Sequence, residues 1–299
     1  GLSQALPPLS VDAYPTTYRR APVPYAALSI ASGRRLFREH CVACHGPGGA
    51  GDGPAAATLP RRPADLTARH TSDHTAGDLF WWLTHGLGRG MPAFGQRLTE
   101  EERWDLINFV RALGAAEAAR RLSPAVDPDQ PRLAAPDFAF SVGPGLSGTL
   151  KDLRGRRTVL LVIFELPGSR TRLARLAQAY ETLQGLGLEI LAVPAEPAPG
   201  IITRLGTDPP ILFPVVTAGA AEIVAAYGLL GRTLTPDGAR AAGAAPAHME
   251  FLIDRNGYLR ARWIPGQGGP GWVEATALVP QIQRLNREAP APPPAEHVH

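Results

Sequence analysis

The feature that most constrains this chain is a Cys-x-x-Cys-His motif formed by Cys41, Cys44 and His45. Two thiols at this spacing lie one helical turn apart, so both can bond the vinyl groups of one haem while the adjacent imidazole reaches the iron. The alternatives are a redox disulfide pair and half of a zinc site, but the sequence has no other cysteine to complete a four-sulfur site. We therefore predict one covalently attached haem c, with His45 as an axial ligand of its iron.

Length and composition indicate two domains and no nucleic-acid partner. The chain has 299 residues, more than one core usually holds, and its 44% hydrophobic and 19% charged residues are typical of globular proteins. The net charge is only +3 and the basic residues are scattered, so we expect no nucleic-acid-binding surface.

No apolar run approaches the roughly 18 residues of a membrane helix. Because the chain begins at Gly1 without a leader, we expect a targeting or membrane segment upstream.

Proline content and hydrophobic periodicity divide the chain into five segments. They are a Pro-rich strap at 1–27, a helical domain at 28–119, a Pro-rich linker at 120–135, a second domain at 136–288 and a disordered tail at 289–299. The fold class that we predict is an all-α domain followed by an α/β domain.

The helical domain carries clear helix signals. One helical pattern runs from Leu28 to the first cysteine, and another covers residues 75–85. Thr99 and Glu102 are spaced as an N-cap and its third helical residue, and Gly114 is placed to end that last helix.

The second half alternates strand-like and helical segments, which predicts a sheet covered by helices. The predicted strands are 158–164, 188–194, 250–253 and 258–263, and the predicted helices are 172–183, 222–227 and 273–287.

The residues around the motif carry a family resemblance. Gly33, Phe37 and Cys41 follow one another at intervals of four, and Leu106 and Phe109 lie three apart in the last helix. This arrangement resembles the crossing terminal helices of class I cytochromes c. The resemblance implies that Gly33 lets the two helices approach closely, and that Phe37, Leu106 and Phe109 pack beside the haem.

The second axial ligand is predicted to be Met91. It lies in a Gly/Pro loop just before the last helix, where the class I family carries its ligand, whereas Met249 lies beside a predicted strand in the second domain. The alternative ligands are His70, His74 and His85, and the first two could also form a peripheral copper or zinc site.

Two further residues are predicted to line the haem pocket. Trp82 precedes the Met91 loop, and its ring N–H would need a polar partner such as a haem propionate. In the class I family a proline carbonyl orients the ligand histidine, and Pro54 or Pro60 could supply it.

The second domain, over residues 136–288, resembles thioredoxin-like domains of the peroxiredoxin and periplasmic thiol-disulfide reductase type. The resemblance rests on Pro136-Asp137-Phe138, the stretch 150–164, Phe213-Pro214-Val215 and the stretch 251–257. Active relatives have a cysteine after the first long strand, but residues 165–170 contain none, and His248 stands where many relatives have a cis-proline. We therefore exclude thiol-disulfide chemistry in this domain.

These features predict a periplasmic, mono-haem electron carrier that is not an enzyme, with unidentified redox proteins as partners. The second domain would serve for docking or structure. Residues 12–18 and 80–86 also resemble the soluble C-terminal part of copper-resistance D type membrane protein fusions. The alternatives are a copper-handling module, in which the haem and His248 reduce or hold copper, and a haem-based ligand sensor with an open iron site.

Overall fold

The structure is a computed structural model that describes residues 13–196, 200–206, 209–232, 246–267 and 269–295. It has a helical domain followed by a sheet-containing domain, so the predicted fold class is confirmed. The start of the strap, residues 1–12, and the end of the tail, residues 296–299, lie outside these ranges.

The first domain is built from helices around the Cys-x-x-Cys-His motif. They are α1 (Ala27–His40), α2 (Val42–His45), α3 (Arg69–Asp73), α4 (Ala76–His85) and α5 (Glu100–Ala119), with a short 3₁₀ turn at Ala56–Thr58. The N-termini of α4 and α5 are fixed by capping boxes, in which the Thr75 and Thr99 hydroxyls accept from the N–H groups of Asp78 and Glu102.

Helix α5 continues past Gly114, so the prediction that this glycine ends the helix is wrong. A Cβ on Gly114 would lie 2.9 Å from the hydroxyl oxygen of Ser72, which shows that the small residue allows a close side-chain approach. The last turn of α5 is held in place by packing, because Ala116 and Ala119 are buried in the main core. Tertiary packing has overridden the local helix-ending signal.

The second domain contains a five-stranded mixed sheet and a separate two-stranded hairpin. Its strands are β1 (Leu133–Ala134), β2 (Ala139–Val142), β3 (Leu146–Thr149), β4 (Thr158–Phe164), β5 (Leu188–Pro194), β6 (Met249–Ile253) and β7 (Tyr258–Trp263). The sheet order is β1-β7-β6-β4-β5, and β2 pairs with β3 in the hairpin. Strand β4 runs parallel to β5 and antiparallel to β6.

Helices cover both faces of this sheet. Successive side chains of β4 point to opposite faces, and all of them are buried. Leu160 and Val162 face the core formed with α6 (Arg170–Gly185) and α9 (Leu278–Arg287). Leu161 and Ile163 face the core formed with α8 (Ala220–Leu230). A further short helix, α7 (Ile201–Leu205), follows β5.

The two domains share one hydrophobic core. The cluster that contains Leu161 and Ile163 of the sheet also contains Leu36 and Phe37 of α1 and Leu113 of α5. Helix α8 lies between them and contacts both α1 and α5. The domains are therefore packed together through apolar side chains.

The segment predicted to be a linker is largely part of the second domain. Its residues Leu133 and Ala134 pair with β7 as strand β1, and Val126 is fully buried. The Pro124 carbonyl accepts a hydrogen bond from the Trp272 ring N–H at 2.8 Å. These partners are distant in sequence, so proline content alone could not reveal them.

The described part of the tail is also held against the domain. The Tyr258 hydroxyl donates to the Pro292 carbonyl at 3.0 Å, and the Glu288 carboxylate just before the tail pairs with the buried Arg260. The prediction of a disordered tail is therefore wrong for residues 289–295. In the part of the chain that the structure describes, no helix is both long and apolar enough to cross a membrane.

Candidate haem site

The Cys-x-x-Cys-His motif forms a single helical turn at the end of α1. The Cys41 N–H donates to the Phe37 carbonyl at 2.9 Å, and the His45 N–H donates to the Cys41 carbonyl at 2.9 Å. This turn sets Cys41 and Cys44 one helical turn apart, and the two thiols do not form a disulfide. Burial, followed by the neighbouring Cys44, raises the pKa of the Cys41 thiol to about 12. Reactive redox cysteines have lowered pKa values, so Cys41 does not have the electrostatics of a disulfide-exchange thiol.

The ring of His45 is oriented by a backbone carbonyl. Its Nδ1 lies 3.1 Å from the Ala64 oxygen, so Nδ1 carries the proton and the lone pair of Nε2 is free for a metal. Burial lowers the pKa of His45 although the Ala64 carbonyl opposes the shift, and the neutral ring is the form that binds metals. The prediction that Pro54 or Pro60 supplies this carbonyl is wrong, and Pro54 is exposed.

The loop that follows the motif explains why Ala64 takes this role. The Leu66 N–H donates to the Gly49 carbonyl at 2.7 Å, so the segment after Pro63 folds back beside the motif. At Gly51, which has φ +73°, a Cβ would lie 2.3 Å from the Pro63 oxygen. Glycine is therefore required at this position, because it lets the segment around Pro63 pack closely enough for Ala64 to contact His45.

The residues predicted to pack beside the haem lie where α1 and α5 cross. A Cβ on Gly33 would be 2.0 Å from the Asp105 carbonyl oxygen, so this glycine marks the closest approach of the two helices. The ring of Phe37 lies 5.0 Å from that of Phe109 and 6.4 Å from that of His45. Leu106 is buried in the same cluster. The crossing therefore lies directly beside the histidine.

Met91 lies in a tight loop between α4 and α5. Its carbonyl accepts from the Leu87 N–H at 2.9 Å, and its own N–H donates back at 3.3 Å. Gly86, with φ +79°, allows this turn, because a Cβ there would be 2.6 Å from the Met91 oxygen. Phe94 further along the loop is buried, with its ring 6.1 Å from that of His40 at the end of α1. The loop is thereby brought beside the motif, and Met91 is half-buried.

Trp82 has a buried polar atom without a partner. Its ring nitrogen is inaccessible and makes no hydrogen bond within the described residues. The indole contacts the rings of Tyr14 and His74, with centroids 5.8 Å and 4.7 Å away. A buried indole N–H usually has an acceptor. A haem propionate would supply one, so this residue fits the predicted cofactor.

The alternative histidines are engaged with other rings. His85 is the last residue of α4 and stacks on Trp81 at 3.7 Å. His70 and His74 lie side by side, with ring centroids 4.7 Å apart. Across the described ranges, no group of three or more histidine, cysteine, aspartate or glutamate side chains is arranged to hold a metal ion.

In the second domain, His248 lies within a buried polar network. Its Nδ1 is 2.8 Å from the Ser169 hydroxyl, and its Nε2 is 3.0 Å from a Glu250 carboxylate oxygen. Arg172 donates to both carboxylate oxygens of Glu250, at 2.6 and 2.8 Å. Because both ring nitrogens are hydrogen-bonded, a copper ion would have to displace one of these contacts. The sequence identified His248, but it gave no signal for Ser169 and Arg172, which lie at the start of α6.

The fold and the motif geometry define a cytochrome c domain joined to a thioredoxin-like domain. Residues 29–110 match the family model described as cytochrome c oxidase, cbb3-type, subunit III. Residues 131–262 match the AhpC/TSA family model. The resemblances seen in the sequence are thus confirmed for both domains. A comparison with curated proteins finds no match for the chain.

Three solved structures similar to this chain cover between 31% and 56% of it. A thiol:disulfide interchange protein DsbE from Chlorobium tepidum is 22% identical, with a TM-score of 0.40 over 52% of this chain and 96% of that chain. Peroxidoxin BcpB from Mycobacterium tuberculosis is 11% identical, with a TM-score of 0.39 over 56% and 99%. A reducing HAO-like protein complex from Kuenenia stuttgartiensis is 31% identical, with a TM-score of 0.28 over 31% of this chain and 46% of that chain.

Proposed function

We propose that this protein is a periplasmic, mono-haem c-type cytochrome that exchanges single electrons with redox protein partners. The observation that carries the proposal is the hydrogen bond between His45 Nδ1 and the Ala64 carbonyl, at 3.1 Å. It leaves Nε2 free for iron, within the same helical turn that presents Cys41 and Cys44. When bound, haem c supplies a one-electron redox couple.

In this proposal the chain's own residues hold the group and leave the iron no site for a substrate. Cys41 and Cys44 would anchor it, and His45 and Met91, the latter from its tight loop, would be the ligands of its iron. With both ligands supplied by the chain, the cytochrome domain would act as an electron carrier and not as an enzyme. Attachment of this kind belongs to proteins outside the cytoplasm, which agrees with the periplasmic location that we propose.

We propose that the thioredoxin-like domain carries out no thiol chemistry, because both cysteines of the chain lie in the haem motif. Its packing supports a structural role. Helix α8 contacts α1 and α5, and one apolar cluster continues from the cytochrome domain into the sheet. The domain therefore covers the helices that carry the haem motif.

Optical spectra of Met91→Leu and Met249→Leu test the axial ligand. These are the chain's only methionines, and Met249 is fully buried in β6, so it is a matched control. We expect the wild type to show a c-type haem spectrum with a sulfur-to-iron charge-transfer band. The band should disappear in Met91→Leu and persist in Met249→Leu. A band that survives in Met91→Leu would exclude this ligand, and the lack of covalent haem in the wild type would overturn the whole proposal.

A further inference from the structure

The polar network around His248 lies at one end of the sheet. Ser169 is the N-cap of α6 and follows β4, whereas His248 directly precedes β6. Strands β4 and β6 are antiparallel neighbours, with Ile163 opposite Met249. The end of β4 and the start of β6 therefore meet, which brings together two residues that are 79 positions apart.

The hydrogen bonds fix the direction in which a proton can move. The Glu250 carboxylate only accepts, so His248 Nε2 carries the proton and donates to it at 3.0 Å. Nδ1 of the neutral ring then accepts from the Ser169 hydroxyl at 2.8 Å. The Ser169 oxygen itself accepts the Glu165 N–H at 3.1 Å. A hydroxyl, a base and an orienting carboxylate thus stand in series.

Arg172 keeps the orienting carboxylate charged. Glu250 is fully buried, which alone would raise its pKa, but the bidentate Arg172 guanidinium and His248 outweigh burial and lower it. Arg172 is itself held by the Val273 carbonyl at 3.2 Å and lies over the Trp263 ring at 4.9 Å. The carboxylate therefore has a fixed position and charge beside the imidazole.

The surroundings of Ser169 suit a nucleophile. The residue is 4% exposed, but Pro167, Gly168 and Arg170 beside it are all exposed, so the hydroxyl lies close beneath the surface. It also stands at the N-terminus of a 16-residue helix, whose dipole favours a developing negative charge. Its side chain caps none of the first-turn N–H groups. The Arg170 N–H donates to the Pro167 carbonyl at 3.1 Å, so the N–H groups of Thr171 and Arg172 are the donors that an oxyanion would use.

We propose that Ser169 and His248, positioned by Glu250, form an acyl-transfer site that hydrolyses small acyl esters. The Ser169 oxygen bonds to the acyl carbon as its proton passes to His248 Nδ1, and the ester C–O bond breaks as that proton passes to the leaving alkoxide. Water then attacks the acyl carbon as His248 Nδ1 takes its proton. The bond from that carbon to the Ser169 oxygen breaks as the proton passes to this oxygen, and the carboxylic acid and free Ser169 are released. This activity lies beyond electron transfer and was not expected from the sequence.

Labelling of the full haem-loaded chain with an alkyl fluorophosphonate tests the site. We expect a stoichiometric adduct on Ser169, located by mass spectrometry of peptides. It should be absent in Ser169→Ala and formed at least about 100-fold more slowly in His248→Gln, because general-base catalysis is lost. Ser147 is an exposed serine in β3, so Ser147→Ala should label like the wild type. Wild type should also hydrolyse p-nitrophenyl acetate with a burst that Ser169→Ala lacks.

The role of Glu250 is tested by the rate of the same reaction in two variants. Glu250→Gln removes the charge that stabilises the protonated ring formed during the reaction, so the labelling rate should fall at least about 10-fold, and Glu250→Asp, which keeps the charge, should retain more of the rate. An unchanged labelling rate in Glu250→Gln would remove Glu250 from the site. If Ser169 stays unlabelled in protein whose haem spectrum and circular dichroism are native, or labels equally fast in His248→Gln, the proposal is wrong.

Discussion

Gly33→Ala should destabilise the crossing of α1 and α5. The new Cβ would lie 2.0 Å from the Asp105 carbonyl oxygen, 2.6 Å from its carbon and 2.8 Å from the Phe109 Cβ. Carbon and oxygen normally approach no closer than about 3.3 Å, so the helices must separate by about 1 Å or more. Two of the three contacts are backbone atoms that cannot rotate away. We therefore expect a loss of about 3 kcal/mol in the free energy of unfolding, the upper part of the usual range for overpacking.

Urea unfolding followed by haem absorbance and tryptophan fluorescence measures this effect. Gly185→Ala is the matched control, because Gly185 is also helical and a Cβ there would meet nothing within 4 Å. It should leave the free energy unchanged or raise it by up to about 1 kcal/mol, since alanine is the better helix former. If Gly33→Ala unfolds at the same urea concentration as Gly185→Ala, the helices do not cross as described here.

Two further predictions concern the buried ion pair. Arg172→Met should lower the free energy of unfolding by about 3–5 kcal/mol, because it leaves the Glu250 carboxylate buried without its cation. Arg175→Met is the control, since it removes only an exposed pair with Glu274. In the same urea titration it should lower the free energy of unfolding by less than about 1 kcal/mol. The pKa of Glu250 in the folded protein is lowered from 4.5. The ionised carboxylate therefore contributes its full share to the free energy of unfolding above pH 4.5, and this share is lost as the pH falls through the folded-state pKa. Glu250→Gln should accordingly flatten the acid side of a plot of stability against pH.

Local signals in the sequence predicted the regular elements well. Strands β4, β5 and β7 have the bounds expected from their apolar runs, and the capping box at Thr99 begins α5 as predicted. Each of these features depends on neighbours within a few residues. The Cys-x-x-Cys-His motif is also a local feature, because its five residues form one helical turn.

The errors arose where distant parts of the chain decide the structure. Gly114 is a residue type common at helix ends, but the burial of Ala116 and Ala119 in the core shared by the two domains keeps α5 helical beyond it. The carbonyl on His45 comes from Ala64, and any residue could supply a carbonyl, so only the closure of the intervening loop selects it. Ser169 and Arg172 lie at the start of α6, and no spacing in the sequence links them to His248 and Glu250 at the start of β6.

The shared core bears on the two roles proposed for the thioredoxin-like domain. A docking domain needs only a free surface and a tether, whereas here α8 inserts its apolar face between the sheet and the helices α1 and α5. The strap adds a second connection, because Ala26 and Asp137 are paired next to the start of α1. Burial of this kind stabilises the haem-bearing helices in proportion to the apolar surface removed from water. The contacts therefore favour a structural role, and the polar network around Ser169 is the part of the domain that this role does not require.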